Sequence, residues 1–250
     1  MDIGNQTALK RRFKNYWQKM LGSGSRAIFA ENTSDYDPMF ERIWQAYNEP
    51  HRAYHTVEHL SELFDKMEEN KKHIDHLPFV IAVIFWHDLV YKSDRDSVLT
   101  GFNNEESSAI IAEEELKLLG FEEYFVEKVV ETIRMTRGHL KAKPDMSDAA
   151  LFLDMDISIL AAKPERFRYY CDQVREEFNG FTDVEFLNGR VNNFLAVYAA
   201  HDEPLFKTDL FRQRYENIAR SNIERELKTQ RQVLSQLQGG FKPRGNRSPA

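Results

Sequence analysis

Apolar residues recur along most of this chain at helical spacing, and almost nowhere at the alternating spacing of a half-buried strand. Leu9, Phe13, Tyr16, Trp17 and Met20 fall on one face over residues 7–21, and Gly22-Ser23-Gly24-Ser25 ends that stretch as a flexible loop. Asp37-Pro38 reads as a helix start, with Asp as the cap and Pro in the first turn. Phe40, Ile43, Trp44 and Tyr47 supply the stripe, and Pro50 stops it. A further helix is expected from His55 to about residue 70, with Leu60, Leu63, Phe64 and Met67 facing inward. After the break at His76-Leu77-Pro78, residues 79–91 are apolar almost throughout. Val80, Ile81, Val83 and Ile84 would also suit a buried strand. The run is long for a strand, opens after a proline and lies between helices, so it is read as a helix. A helix apolar on every side belongs at the centre of a fold.

Residues 92–104 are polar and irregular, a loop placed over whatever the preceding helix carries. Asn104 is expected to cap a helix over 105–119 that Gly120 terminates. Helices follow over 122–136, 147–161, 164–178, 183–201 and 210–237, with a loop at 138–146 and Pro164 in a first turn. No stretch reads as a strand, and there is no internal repeat or interdomain linker. The expected fold is all-α: a single-domain helical bundle over 36–237, preceded by an N-terminal helix and loop over 1–35. A Gly/Pro/Arg-rich tail over 238–250 is expected to be disordered.

Composition narrows the partners. The chain has 250 residues, 42% of them apolar, and 18 Phe, 10 Tyr and 3 Trp to fill one large core. A net charge of −6 with mixed signs argues against a nucleic-acid polymer as partner. The single cysteine, Cys171, excludes an intrachain disulfide and suits a reducing compartment. The N-terminus lacks an apolar signal core, and the apolar run at 79–86 is too short to span a bilayer. A cytoplasmic protein with no membrane association is expected; oligomeric state is not legible.

The chemistry concentrates in a few places. His55 and His59 are four apart, which on one helix puts both on one face. His87-Asp88 closes the central apolar helix, and Leu153-Asp154-Met155-Asp156 comes much later. Neutral imidazoles and carboxylates converging from rigid elements are what a divalent cation needs. Asp156 would supply the remaining protein ligand beside Asp88 and two of these histidines; a set of two His and two Asp suits Mn or Mg and does not exclude Fe, Zn, Co or Ni.

The order His59…His87-Asp88…Asp156 resembles the HD-domain superfamily of metal-dependent phosphohydrolases. The wider strings are similar to an uncharacterised bacterial branch of it over about residues 40–228: Glu49-Pro50-His51-Arg52-x-Tyr54-His55-Thr56-x-x-His59, Phe85-x-His87-Asp88-x-Val90-Tyr91, Asn104-Glu105-x-x-Ser108-Ala109, and Phe152-Leu153-Asp154-x-Asp156-Ile157-Ser158. The resemblance implies a helical fold of the HD type, with His59, His87, Asp88 and Asp156 as metal ligands and Asp154 as a supporting or capping group. The Tyr-His-Thr-x-x-His string also resembles cyclic-nucleotide phosphodiesterases, where the first histidine of such a string protonates the leaving oxygen. That likeness makes His55 a general acid, although Thr56 departs from the pattern. The implied reaction is hydrolysis of a nucleotide or other small phosphate ester by water that the cation activates. Asp88 shares in that chemistry, Arg52, Arg137 or His139 would hold phosphate oxygens, and Glu105 would orient water or a ligand.

Each piece also has a plainer reading. Helical histidine pairs are mostly surface or buried-polar, His-Asp doublets close helices, and aspartates cap them. Glu113–Glu115 reads as a solvated face, Arg190 as a structural ion pair, and Phe167, Tyr169, Tyr170 and Phe178 as core. His55-Thr56-Val57-Glu58-His59 also fits H-x-x-E-H, the inverted zinc-protease signature, with Glu58 as base. That reading leaves His87-Asp88 and Asp156 without a role. A diiron oxygenase would need more histidines than His139 between the doublet and Asp156. A non-catalytic metal- or nucleotide-binding module is the remaining alternative to a hydrolase.

Overall fold

The computed structural model describes residues 3–23 and 37–239. These fold into helices α1 (Ile3–Leu21), α2 (Asp37–Ala46), α3 (Val57–Glu69), α4 (Leu77–Trp86), α5 (Arg95–Thr100), α6 (Asn104–Leu118), α7 (Glu123–Thr136), α8 (Ser147–Ile157), α9 (Pro164–Glu177), α10 (Asp183–Gly189), α11 (Ala196–Ala199) and α12 (Asp209–Gly239). There is no strand among the described residues. Most of the expected tail and the loop after Ser23 lie outside them, whereas Gln238 and Gly239 continue α12.

Helix α4 is the axis of the molecule. Every residue from Phe79 to Trp86 is at most 1% exposed, so the all-apolar sequence is matched by burial on all sides. Around it stand α1, α3, α6, α7 and α8. Phe85 meets the rings of Phe13, Trp17, Phe40 and Phe64 at centroid distances of 5.3–6.5 Å. Helix α1 therefore shares this core, its Phe13, Trp17 and Met20 fully buried beside α4. Trp86 needs a partner for its indole N–H and donates to Glu115 at 2.7 Å; Arg42 pairs with the same carboxylate. Glu115 is thus a tethered residue, not part of the solvated face expected for 113–115.

Several boundaries differ from the sequence reading, each for a local reason. Helix α3 starts at Val57 because Thr56 takes an extended conformation and its side chain accepts the Glu58 N–H. His55 consequently precedes the helix. Helix α6 is capped by Asn103, whose side chain accepts the Glu106 N–H at 3.1 Å, while Asn104 bonds both backbone groups of Lys92. The stretch expected as an irregular loop contains α5, capped by Asp94 and closed by Gly101 at φ 72°. Gly120, at φ 77°, terminates the α6 region as read. Between α10 and α11 the helix widens into a π-turn over Arg190–Leu195. Tyr169 is 55% exposed, unlike its core neighbours Phe167 and Tyr170.

Candidate metal centre

Three separate elements meet at the C-terminal end of α4. Helix α3 supplies His59 from its buried face, the end of α4 supplies His87 and Asp88, and α8 supplies Asp156. His59 Nε2 and His87 Nε2 face each other at 3.2 Å. Asp88 Oδ2 lies 3.1 Å from His87 Nε2 and 3.9 Å from His59 Nε2. Asp156 Oδ1 lies 3.3 Å from His59 Nε2 and 3.8 Å from His87 Nε2. The ligand atoms of His59, His87 and Asp88 all fall within 4.8 Å of one another, and this buried cluster can hold a metal ion.

The spacing is a test of that fit. Donors about 2.1 Å from a shared cation sit roughly 3.0–3.4 Å apart along the edges of a coordination polyhedron. Three of the five separations fall in that range, and the other two need only small side-chain adjustments. Tautomers agree as well. His87 Nδ1 lies 3.0 Å from the Ile84 carbonyl, which only a protonated Nδ1 can satisfy. In the neutral ring Nε2 then keeps its lone pair and points it into the cluster, the arrangement typical of ligating histidines.

With protons alone, this cluster carries strong electrostatic tension. Burial would lower the His87 pKa, but the Asp88 charge and hydrogen bond and the Asp156 charge overcome it and push the imidazole up to about 9. Burial would raise both carboxyls. Asp88 is nevertheless held well below the carboxylate range by His87 and His55, and Asp156 by His139, His59 and His87. Positive charge is what the four side chains converge on.

His139 bears on the same carboxylate, its Nε2 3.0 Å from Asp156 Oδ2. It stands on a 3-10 turn after α7, and its Nδ1 is buried without a hydrogen-bond partner among the described residues. Glu105, at the start of α6, is half-buried; burial and the charge of Asp88 raise its pKa, with Arg137 and His139 opposing. His139 therefore touches the cluster through Asp156, and Glu105 feels the charge of Asp88.

Arg52 has a different job from the phosphate grip expected of it. Its side chain is fully buried, with Nε donating to Glu49 at 3.0 Å. Its terminal nitrogens donate to the carbonyls of His55, Asp88 and Leu89. It fastens the His55 turn to the chain just beyond α4. Asp154 is also structural: it accepts the backbone N–H groups of Lys207 and Thr208 and the Thr208 hydroxyl, fixing the start of α12.

The most informative residue was not singled out by the sequence. Glu177, at the end of α9, is 3% exposed. Its Oε1 accepts three consecutive backbone N–H groups, from Ala53, Tyr54 and His55, at 2.8–3.0 Å. Its Oε2 lies 2.8 Å from His55 Nδ1 and accepts the Tyr91 hydroxyl at 2.8 Å. Burial would raise this carboxyl, but the His55 charge, its hydrogen bond and the backbone donors bring it down to about 2. An ionised Glu177 requires the proton on His55 Nδ1 and leaves Nε2 directed elsewhere, 3.9 Å from Asp88 Oδ2. Burial lowers the His55 pKa, yet the charges of Glu177 and Asp88 raise it above the ordinary imidazole value. The Tyr91 ring stacks on His55 at 4.1 Å. His55 and His59 do not act as a pair on one helix face. The partner of His59 is His87, and Glu58, which lies between His55 and His59 in the sequence, is exposed.

No protein-family model, curated protein or solved structure matches this chain. No helix among the described residues is long and apolar enough to cross a membrane.

Proposed function

We propose that the protein is a metal-dependent phosphohydrolase of the HD-domain type acting on a nucleotide or another small phosphate ester. The observation that carries this reading is the pairing of two devices within 3.9 Å: a His/His/Asp/Asp cluster, and a histidine whose Nδ1 is committed to a buried glutamate. His59, His87, Asp88 and Asp156 would hold a divalent cation, which supplies Lewis acidity toward a phosphoryl oxygen and toward the attacking water.

The chain's own groups do the rest. His55 carries a proton on Nε2 when it is imidazolium, and Glu177 keeps the ring from rotating away. That proton can pass to the leaving oxygen as the ester bond breaks. Afterwards Nε2 is the basic atom, ready to be reprotonated from water. Glu105 and His139 flank the cluster on the α6–α7 side, where they would orient water or the Asp156 carboxylate.

The experiment is elemental analysis of the purified chain followed by assay of the metal-loaded protein on a panel of phosphate esters. Hydrolysis by the parent and its loss in Asp88→Ala are expected. A metal-loaded parent that binds a nucleotide but releases no phosphate from any ester would replace the hydrolase with a binding module.

A further inference from the structure

A cavity of about 270 Å³ lies between α5, α9, α10 and the π-turn, and none of its lining residues belongs to the metal cluster or to the His55–Glu177 pair. Its walls are aromatic: Phe178, Phe181, Phe186 and Phe194, with Val98 and Val174. Phe178 stands 6.0 Å from both Phe181 and Phe186 in tilted arrangements, while Arg95 lies over the Phe181 ring and Arg175 over the Phe186 ring.

One cation stands in this wall. The Arg190 guanidinium lies 4.0 Å over the Phe194 ring and 5.3 Å from the Tyr170 ring. It donates a hydrogen bond to the Tyr170 hydroxyl at 2.9 Å, and the Cys171 thiol lies beside it within hydrogen-bonding reach. The structural ion pair expected for Arg190 is absent among the described residues, with no carboxylate within 4.0 Å. Glu226 acts on it only from beyond that distance and is itself bonded to Gln230 at 2.6 Å. The other carboxylate at the cavity, Glu185, is consumed by Arg95 and by the Thr182 cap. An arginine has five donors, so most of those on Arg190 are uncommitted.

The backbone is also irregular here. Helices widen into π-turns rarely, and frequently at functional sites. The widening begins at Arg190, directly after Gly189, where a Cβ would meet nothing within 4 Å.

We propose that this cavity is a binding site for a small aromatic carboxylate, its ring among Phe178, Phe181, Phe186 and Phe194 and its anionic end on Arg190. The cavity is at the small end of ligand pockets, which limits the occupant to a compact molecule. The guanidinium fork matches a planar carboxylate, and the phenylalanine walls match a ring. The proposal is independent of the phosphohydrolase reading.

The test uses the full chain with phenylalanine-labelled NMR and phenylacetate as the probe. Saturable shifts of the aromatic signals are expected, with neutral phenylacetamide bound at least about tenfold more weakly. Arg190→Gln should weaken phenylacetate to a similar degree. Gly189→Leu adds bulk at a cavity-lining position where a Cβ meets nothing beyond its chain neighbours, so it should abolish binding while leaving the melting temperature intact. It keeps the test decisive if the arginine variant folds poorly. No saturable shift at millimolar phenylacetate, equal affinity for the amide, or undiminished binding by a folded Gly189→Leu protein would overturn the proposal.

Discussion

Glu177→Gln is the most discriminating perturbation available, because it is nearly isosteric and removes one charge from a fully buried side chain. The amide oxygen can keep the three backbone donors of 53–55. The amide nitrogen, however, replaces the oxygen that serves His55 Nδ1 and the Tyr91 hydroxyl. The carboxyl moves from an ordinary 4.5 to about 2 on folding. A shift of that size corresponds to about 3 kcal/mol of stability at neutral pH, undiminished by solvent screening at a buried site. In a domain of this length that is roughly 6–12 °C in melting temperature.

The pH dependence follows from the direction of the shift. A carboxyl with a depressed folded pKa stabilises fully above its unfolded value, and the contribution fades as pH falls from about 4.5 toward 2. His55 works in the opposite sense. Its raised folded pKa gives stability present below the usual imidazole value and lost as pH rises through the folded one. The gap between parent and variant should therefore be widest around pH 5–6.5, narrow above it, and close near pH 2. Calorimetric or circular-dichroism melts in the presence of a chelator measure this. A gap that persists unchanged at pH 2, or that is under about 2 °C at pH 6, would refute the assigned roles. Under the proposed chemistry the variant should also lose about a hundredfold or more on phenyl phosphate, whose leaving group needs a proton. Dinitrophenyl phosphate, which does not need one, should be nearly spared. An equal loss on both esters would make Glu177 structural only.

Two further substitutions probe the frame. Asp148, 1% exposed, accepts the backbone N–H groups of Asp75 at 2.9 Å and His76 at 2.6 Å, just before α4 begins. Asp148→Ala strands both donors and should cost about 3 kcal/mol in a denaturant titration, and it should weaken metal binding in the folded protein through the shifted α4. Glu58→Gln, on an exposed side chain, should leave stability within about 0.5 kcal/mol and phosphate release unaltered. Loss of all activity in that variant would instead favour the zinc-protease pattern.

What the sequence made legible was whatever depends on long stretches. The eight-residue apolar core of α4 could only be central, and the helical stripes of α1, α2 and α3 could only be faces of a bundle. The convergence of His59, His87, Asp88 and Asp156 was also accessible, because their order along the chain is what carries the resemblance given above. Features set by a single residue were not. Thr56 rather than His55 precedes α3, and Asn103 rather than Asn104 caps α6, since either neighbour satisfies the same local rule. The π-turn at 190–195 leaves no periodicity that distinguishes it from an ordinary helix. Arg52 looked like a phosphate ligand because residue type cannot reveal which donors the backbone has already claimed.

Glu177 did carry a signal. Phe167, Tyr170 and Val174 mark the buried stripe of α9, and position 177 continues it one helical step later. A carboxylate on a core stripe must be paid for by donors from elsewhere. Asp148 and Asp154 obey the same rule on α8, which is otherwise almost wholly apolar. Each of these three carboxylates reaches backbone N–H groups far away in sequence: Asp148 before α4, Asp154 before α12, and Glu177 across the His55 turn. Two of the segments they fix hold site residues directly, since α4 ends in His87-Asp88 and the turn ends in His55. Helix α8, held at both ends by its own buried aspartates, carries Asp156. The acidic residues that stay out of the cluster therefore set the positions of those within it. Replacing any of the three should displace side chains of the cluster, or His55, that it never touches.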